Sequence, residues 1–357
     1  MQVVRKIGKH SIKVDCNSGY GLELDRTLLE DSPQTLASGR LTRKQLLQKL
    51  SSGDEYYPIA VHWELLDKCN LACPFCYIVG HSNNRVVRFN SIRHHLSDLI
   101  DAGLLFCTLT GGEATIHPDF VEIYRYLKNN GVLVDLFTNG LMLSDEIVNV
   151  LQLQKPMSVE VSIYTLDDEV LRREFGAKID HPAQAVLNNI LRLKAVGINV
   201  SCKTLSTTLT ANQLGQISDW CLRHKIDHES SNKIVGTHDG KSMNHFSMPM
   251  SPPASNSNAH NLTEHVALAC GTRNYGGALD SSFALYPCPS IRHRDAYFDV
   301  RTLGLAEALR KMKTYIRDHQ DLKIVSNGSA PITARQCLAT AKPVKSSSGR
   351  TIFLTAV

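Results

Sequence analysis

The strongest constraint on this chain is a rhythm that begins at Ile59. Short β-branched runs alternate with longer amphipathic stretches. The strand-like runs are Ile59–Leu65, Leu105–Leu109, Leu133–Phe137, Ser158–Tyr164 and Asn199–Leu205, with a sixth at Lys233–Val235. Between them, Ser91–Asp101, Pro118–Asn129, Ser144–Leu153, Pro182–Val196 and Ala211–His224 carry apolar residues at helical spacing. The runs read as apolar on both faces, as a parallel sheet covered by helices requires. Parallel strands need a crossover of roughly a dozen residues, and each helical stretch supplies one. The expected fold is therefore α/β, a partial (β/α)6 TIM-like barrel.

The remainder divides around that barrel. Residues 1–57 read as a short α+β extension, with strands at Val3–Ile7, Ser11–Val14 and Gly21–Leu24 and a helix at Thr42–Leu50. Residues 58–247 hold the barrel, and the Pro/Ser-rich stretch 248–266 reads as a linker. Residues 267–357 form a smaller C-terminal region with a helix near Leu305–His319. Apolar residues make up 43% of the chain and charged residues 20%, which excludes disordered and collagen-like classes. No apolar run reaches the roughly 18 residues of a spanning helix. Met1–Asp15 is basic but lacks an apolar signal core, so the expectation is a cytoplasmic protein without a membrane partner. The net charge of +5 permits an acidic partner and gives no reason to expect nucleic acid.

Ten cysteines are many for such a chain, and three cluster: Cys69-Asn-Leu-Ala-Cys73-Pro-Phe-Cys76. They follow the first barrel strand, on the face where barrels of this kind carry chemistry. Thiolates suit soft metals and iron–sulfur clusters. Three ligands leave a coordination position open. A structural zinc site wants four, and the fourth would have to be His62, His81 or a distant cysteine. Cys107, Cys202 and Cys221 fall inside predicted strands or helices and read as small buried apolar residues. Cys16 has no partner motif.

With Phe75 ahead of its last cysteine, the loop resembles that of the radical S-adenosylmethionine (radical SAM) superfamily. The resemblance implies that Cys69, Cys73 and Cys76 hold three irons of a 4Fe-4S cluster. The fourth iron then binds the amino and carboxylate groups of SAM. One electron cleaves SAM to a 5′-deoxyadenosyl radical, which abstracts a substrate hydrogen.

Further residues extend the resemblance. In Thr110-Gly111-Gly112-Glu113, two glycines let the backbone pass close to a ligand, and a carboxylate can accept from an ammonium. The segment is similar to the family's Gly-Gly-Glu, which serves the SAM amino group. Asn139 reads as an Asn-Gly turn residue, and the resemblance places it near the cofactor mouth. Ser162 reads as a core hydroxyl, or by resemblance as a contact to the SAM ribose or carboxylate. Lys203, inside an apolar strand, needs a partner when buried. The cofactor carboxylate is one candidate, and a snorkelling stem is the other reading. Phe75, Gly111, Gly112, Glu113, Asn139, Ser162 and Lys203 make up the expected cofactor site, and no catalytic acid or base is assigned.

The segment from Cys270 to Cys288 reads as a loop, a strand, a turn and a second strand. It resembles the start of the auxiliary-cluster domain called SPASM or, in shorter form, twitch, and it ends Tyr286-Pro287-Cys288-Pro289. Phe283 stands where that pattern usually has a turn glycine, and Cys337 alone follows of the later cysteine run. The resemblance implies that Cys270, Cys288 and Cys337 hold an auxiliary iron–sulfur cluster, the other reading being that they are relics of one; His293, between Arg292 and Arg294, reads as a solvated surface residue or else as a substitute ligand. The function implied is a radical SAM enzyme that modifies a ribosomally made peptide. Its partners would be a precursor peptide and an electron donor such as flavodoxin or ferredoxin. Residues 1–57 resemble part of the peptide-recognition domain of such maturases. Two alternatives stay open: a radical SAM enzyme acting on a small-molecule cofactor or antibiotic precursor, and a non-catalytic iron–sulfur or zinc module. The Gly-Gly-Glu segment, Ser162 and Lys203 argue against the last.

Overall fold

The computed structural model describes residues 2–7, 10–15, 21–24, 58–78, 86–232, 234, 237, 243–248, 276–287 and 296–318, and four short pairs at 323–324, 332–333, 344–345 and 351–352. The expected helix at Thr42–Leu50 lies outside them, as do Cys16, His81, Cys270, Cys288, His293 and Cys337.

Strands β1 (Gln2–Ile7), β2 (His10–Asp15) and β3 (Gly21–Leu24) form an antiparallel sheet in that order. Six parallel strands follow: β4 (Ala60–Glu64), β5 (Phe106–Thr110), β6 (Leu133–Thr138), β7 (Ser158–Ser162), β8 (Val200–Leu205) and β9 (Asp227–Ser231), each paired with the next. Their crossovers hold helices α1 (Phe89–Asp101), α2 (Phe120–Asn129), α3 (Asp145–Leu153), α4 (Asp168–Phe175), α5 (Pro182–Ala195) and α6 (Leu214–Arg223). This is the α/β partial barrel that the rhythm predicts. The sheet continues on the far side of β4 through β10 (Gly276–Leu279), β11 (Ala284–Tyr286) and β12 (Phe298–Asp299). β10 pairs with β4 in parallel, and β11 and β12 are antiparallel. Helices α7 (Val300–Leu303) and α8 (Leu305–Asp318) follow.

Local chemistry accounts for the helix ends. Ser144 caps α3 through the Ile147 N–H, and Asp167 caps α4 through Glu169 and Val170. Gly176 closes α4 with a φ of 68°. Pro182 opens α5, where its missing N–H is no loss.

Two expectations need correction. The strand that pairs with β8 is Asp227–Ser231, ahead of the expected run, of which Lys233 and Val235 lie outside the described residues. Its sequence, Asp-His-Glu-Ser-Ser, has no apolar signal, and it is extended because β8 offers it an edge to pair with. The strands are also not apolar on both faces. Val61, Trp63, Leu109, Leu136, Val161 and Cys202 lie in one core with Leu96, Ile123, Leu127, Leu151, Ile190 and Ile217 of the helices. Each such side chain contributes about 1.5–3 kcal/mol on burial. Residues alternating with them, among them His62, Asp135, Phe137, Glu160, Lys203 and Glu229, fall on the opposite face, inside the open barrel. Registers Phe137↔Glu160 and Lys203↔Glu229 carry that polar face across four strands.

The N-terminal sheet closes the bottom of the barrel. Ile7, Ile12 and Val14 form a second core with Ile59, Leu105, Phe106, Leu133 and Met157, at the strands' N-terminal ends. The buried Arg5 donates to the Asn130, Ile100 and Leu104 carbonyls, where α1 and α2 end. The opposite end of the barrel carries the cysteine loop. Among the described residues, no helix is long and apolar enough to cross a membrane.

Candidate active site

The cysteine loop leaves β4 at Glu64 and is stitched to its neighbours along its length. The Leu65 N–H donates to the Thr110 carbonyl at 2.9 Å. The Gly112 N–H donates to Leu66 at 2.5 Å, and the Glu113 N–H to Lys68 at 3.0 Å. Further on, the Ala72 N–H donates to Phe175 at 2.7 Å, and the Cys76 N–H to Cys73 at 3.1 Å. Phe75 is buried, its ring centroid 5.2 Å from Tyr164, 5.9 Å from Phe175 and 6.0 Å from Phe246. It anchors the loop between Cys73 and Cys76.

All three thiols are free, and each cysteine keeps some exposed surface. The Cys69 Sγ accepts from the Leu71 N–H at 3.4 Å and the Asn139 Nδ2 at 3.6 Å. Burial pushes the Cys69 thiol up to about 12 and the Cys76 thiol up to about 11. It pushes Cys73 well above its ordinary value. Such thiols ionise only when a cation or a metal group compensates.

The donor set fits an iron–sulfur cluster. Three thiols share one loop, and N–H groups already point at sulfur. Asn70 Nδ2 is buried without a hydrogen-bond partner among the described residues, a donor left over for an added group. A cluster takes one thiolate at each of several irons, so its cysteines need not meet at a point. A zinc ion does require that, and among the described residues no three His, Cys, Asp or Glu side chains converge on one ion.

The Gly-Gly-Glu segment holds the loop from below. Gly111 has a φ of 128°, and a Cβ there would lie 2.5 Å from the Leu66 carbonyl oxygen. A Cβ at Gly112 would lie 2.5 Å from that of Asp67. The close approach that these glycines permit is to the loop's own stem, where the sequence suggested a ligand. Glu113, 2% exposed, links two strand ends. Its Oε1 accepts from the Thr115 N–H at 3.1 Å, the Thr115 hydroxyl at 2.6 Å and the Thr138 hydroxyl at 2.7 Å. Its Oε2 accepts from the Asn139 N–H at 2.7 Å. Burial pushes its pKa up, and these donors pull against that. Asn139 Nδ2 in turn donates to Asn70 Oδ1 at 2.7 Å. A continuous path runs from Glu113 through Asn139 to Cys69.

Ser162 lies at the C-terminal end of β7, in register with Lys203. The partner that a lysine needs here is supplied by the protein. Lys203 Nζ lies 2.7 Å from Glu160 and 3.8 Å from Glu229, and 5.6 Å from the Phe137 ring centroid. Burial pushes Glu160 up, and Lys203 pulls it down. Glu160, Glu229 and Asn70 escaped the sequence reading. The signal for Glu160 is a charged residue between two apolar ones in Val159-Glu160-Val161, which places it on the face opposite the helices.

The hairpin ahead of Cys288 is described from residue 276 to 287. Phe283 takes the glycine-like conformation, with a φ of 65°. Its buried ring meets Trp63 edge-on, centroids 5.3 Å apart, which holds it there.

Comparison with known proteins agrees with this arrangement. Residues 63–215 match the model of the Radical SAM superfamily. The antilisterial bacteriocin subtilosin biosynthesis protein AlbA of Bacillus subtilis is 31% identical over 124 residues, 34% of this chain and 28% of AlbA. The sporulation killing factor maturation protein SkfB of the same organism is 29% identical over 181 residues, 50% of this chain and 43% of SkfB. The chain thus spans less than half the length of these curated relatives. Streptococcus suis SuiB, solved bound to S-adenosylmethionine, superposes with a TM-score of 0.62 over 90% of each chain. At 13% identity, that likeness speaks for the fold. SuiB has also been solved bound to its precursor peptide SuiA. With the open parallel barrel and the three-cysteine loop in agreement with the family match, residues 63–215 are a domain of the Radical SAM superfamily.

Proposed function

We propose that this chain is a radical SAM enzyme that modifies a ribosomally made precursor peptide. The observation that carries the proposal is three free thiols on one loop, at the mouth of an open barrel whose inner face is polar. The maturation proteins AlbA and SkfB, and SuiB with its precursor peptide, support the substrate class.

Cys69, Cys73 and Cys76 would hold a 4Fe-4S cluster whose fourth iron takes SAM. Together these groups supply one-electron cleavage of SAM to a hydrogen-abstracting radical. The protein's part is position and dryness. Gly111 and Gly112 let β5 press on the loop stem, and Glu113 and Asn139 brace it from the ends of β5 and β6. Phe75 locks its middle. Ser162 and Lys203, at the mouth of β7 and β8, face the side where cofactor and substrate would meet. Cys270, Cys288 and Cys337 would bind an auxiliary cluster, and an electron donor such as flavodoxin or ferredoxin would reduce the enzyme.

Anaerobic reconstitution with iron and sulfide tests this reading, with iron counting and electron paramagnetic resonance before and after SAM. A Cys69→Ala, Cys73→Ala, Cys76→Ala variant should lose about four irons and the SAM-responsive signal. About four irons remaining in that variant would support the auxiliary cluster. Turnover of an added precursor peptide would separate a peptide substrate from a small molecule. A wild type that binds no iron, or whose reduced spectrum ignores SAM, would sink the proposal.

A further inference from the structure

We infer that Glu64 braces the cysteine loop and supplies the charge that keeps its iron–sulfur cluster hard to reduce. The inference rests on the function proposed above. Glu64 ends β4, where the loop begins, and is 1% exposed. Its Oε1 accepts from the Tyr77 hydroxyl at 3.1 Å. Tyr77 directly follows Cys76, so this one bond joins the loop's entry to its exit. The loop is thereby tied on a third side, besides the Gly-Gly-Glu contacts and the Phe75 anchor.

The same carboxylate stands beside the thiol loop at both of its ends, since it closes the strand that leads into the loop and its partner Tyr77 is the chain neighbour of Cys76. Reducing an iron–sulfur cluster adds one negative charge. A carboxylate fixed nearby in a water-poor site opposes that addition, because Coulomb repulsion is weakly screened there. Net charge and solvent exposure are two of the levers that set cluster potentials. Glu64 bears on the first, as a carboxylate buried at a packed strand end. It is a positioning residue, acting through the cluster and through Tyr77.

The test compares wild type, Glu64→Gln and Tyr77→Phe after anaerobic reconstitution. Iron is counted, and the signal that responds to SAM is titrated against potential. Glutamine keeps the shape and can still accept from Tyr77, but it carries no charge. Glu64→Gln should hold wild-type iron and be reduced about tenfold more readily at a fixed potential, an upward shift of about 59 mV for one electron. Tyr77→Phe should keep the wild-type potential and give up iron faster to a chelator. Should Glu64→Gln fail to hold iron, Glu64→Asp decides: with the charge retained, its potential should stay at the wild-type value.

A Glu64→Gln protein that titrates with the wild type overturns the inference. So does a Tyr77→Phe protein that shifts as far as Glu64→Gln, because geometry would then be the cause. A shifted Glu64→Asp does the same. A wild type without iron overturns the functional reading and this inference together, whereas iron binding with no shift overturns this inference alone.

Discussion

Glu113→Gln should loosen the mouth of the barrel in a measurable way. Four donors converge on this carboxylate, three on Oε1 and one on Oε2. A glutamine amide oxygen in the place of Oε1 keeps the first three. Its nitrogen then faces the Asn139 N–H across 2.7 Å, donor against donor. One bond to a charged acceptor is lost, worth about 1.5–3 kcal/mol, and a buried N–H is stranded at about 1–3 kcal/mol. Removing a buried charge gives part of that back, so the net loss is about 2 kcal/mol. Equilibrium urea unfolding of the apoprotein, read against wild type, measures it. The pH dependence has a sign. Burial raises the folded-state pKa of Glu113 above its ordinary 4.5. The wild type therefore loses stability as pH rises from that value through the folded pKa. Glutamine does not titrate, so the gap between the two proteins narrows over that window. Asn139, released from its anchor, no longer holds its amide against Cys69, and reconstituted iron should leave faster. A variant within about 0.5 kcal/mol of wild type that holds iron as long would refute the strut.

Two further substitutions probe other parts of the site. Phe283→Gly relieves a left-handed backbone worth about 1–2 kcal/mol, but it removes a buried ring worth about 3–5 kcal/mol. Thermal unfolding should show a net loss of about 2–3 kcal/mol, and a raised melting temperature would show that strain outweighs packing. Lys203→Met leaves Glu160 and Glu229 facing each other. These side chains are 18% and 25% exposed, so the roughly 3–5 kcal/mol of a fully buried broken pair falls to about 1–2 kcal/mol. Adding Glu160→Gln should recover part of it in the same unfolding assay, and no recovery would mean that the pair is not coupled.

Parts of the site were legible because their chemistry is local. Three thiols within eight residues announce a metal centre wherever the loop is placed. The glycines and Glu113 were found by their position at a strand end, but their neighbours were not. The contact that excludes a Cβ at Gly111 comes from Leu66, more than forty residues earlier. Lys203 showed the need for a partner, and the partners sit on β7 and β9, strands that only pairing brings beside β8. Tyr77 and Glu64 each look ordinary in sequence. Their bond exists because the loop returns to its own starting point.

The sequence by itself determined the order of strands and helices from β4 to α6, α4 excepted, and the position of the cysteine loop, because helical and extended periodicities are properties of neighbouring residues. It also marked Phe283 as a departure at a turn. Tertiary structure alone decided the rest. β9 is a strand although its residues are polar, because β8 presents unpaired backbone groups that must be satisfied. β10 joins the barrel sheet beside β4, a strand more than two hundred residues earlier in the chain. The inner face of the barrel could be charged only because the helices cover the other face. A side chain's alternation along a strand can be read from its neighbours, but the choice of which face meets helices and which faces the lumen is made when the sheet curls and the helices pack.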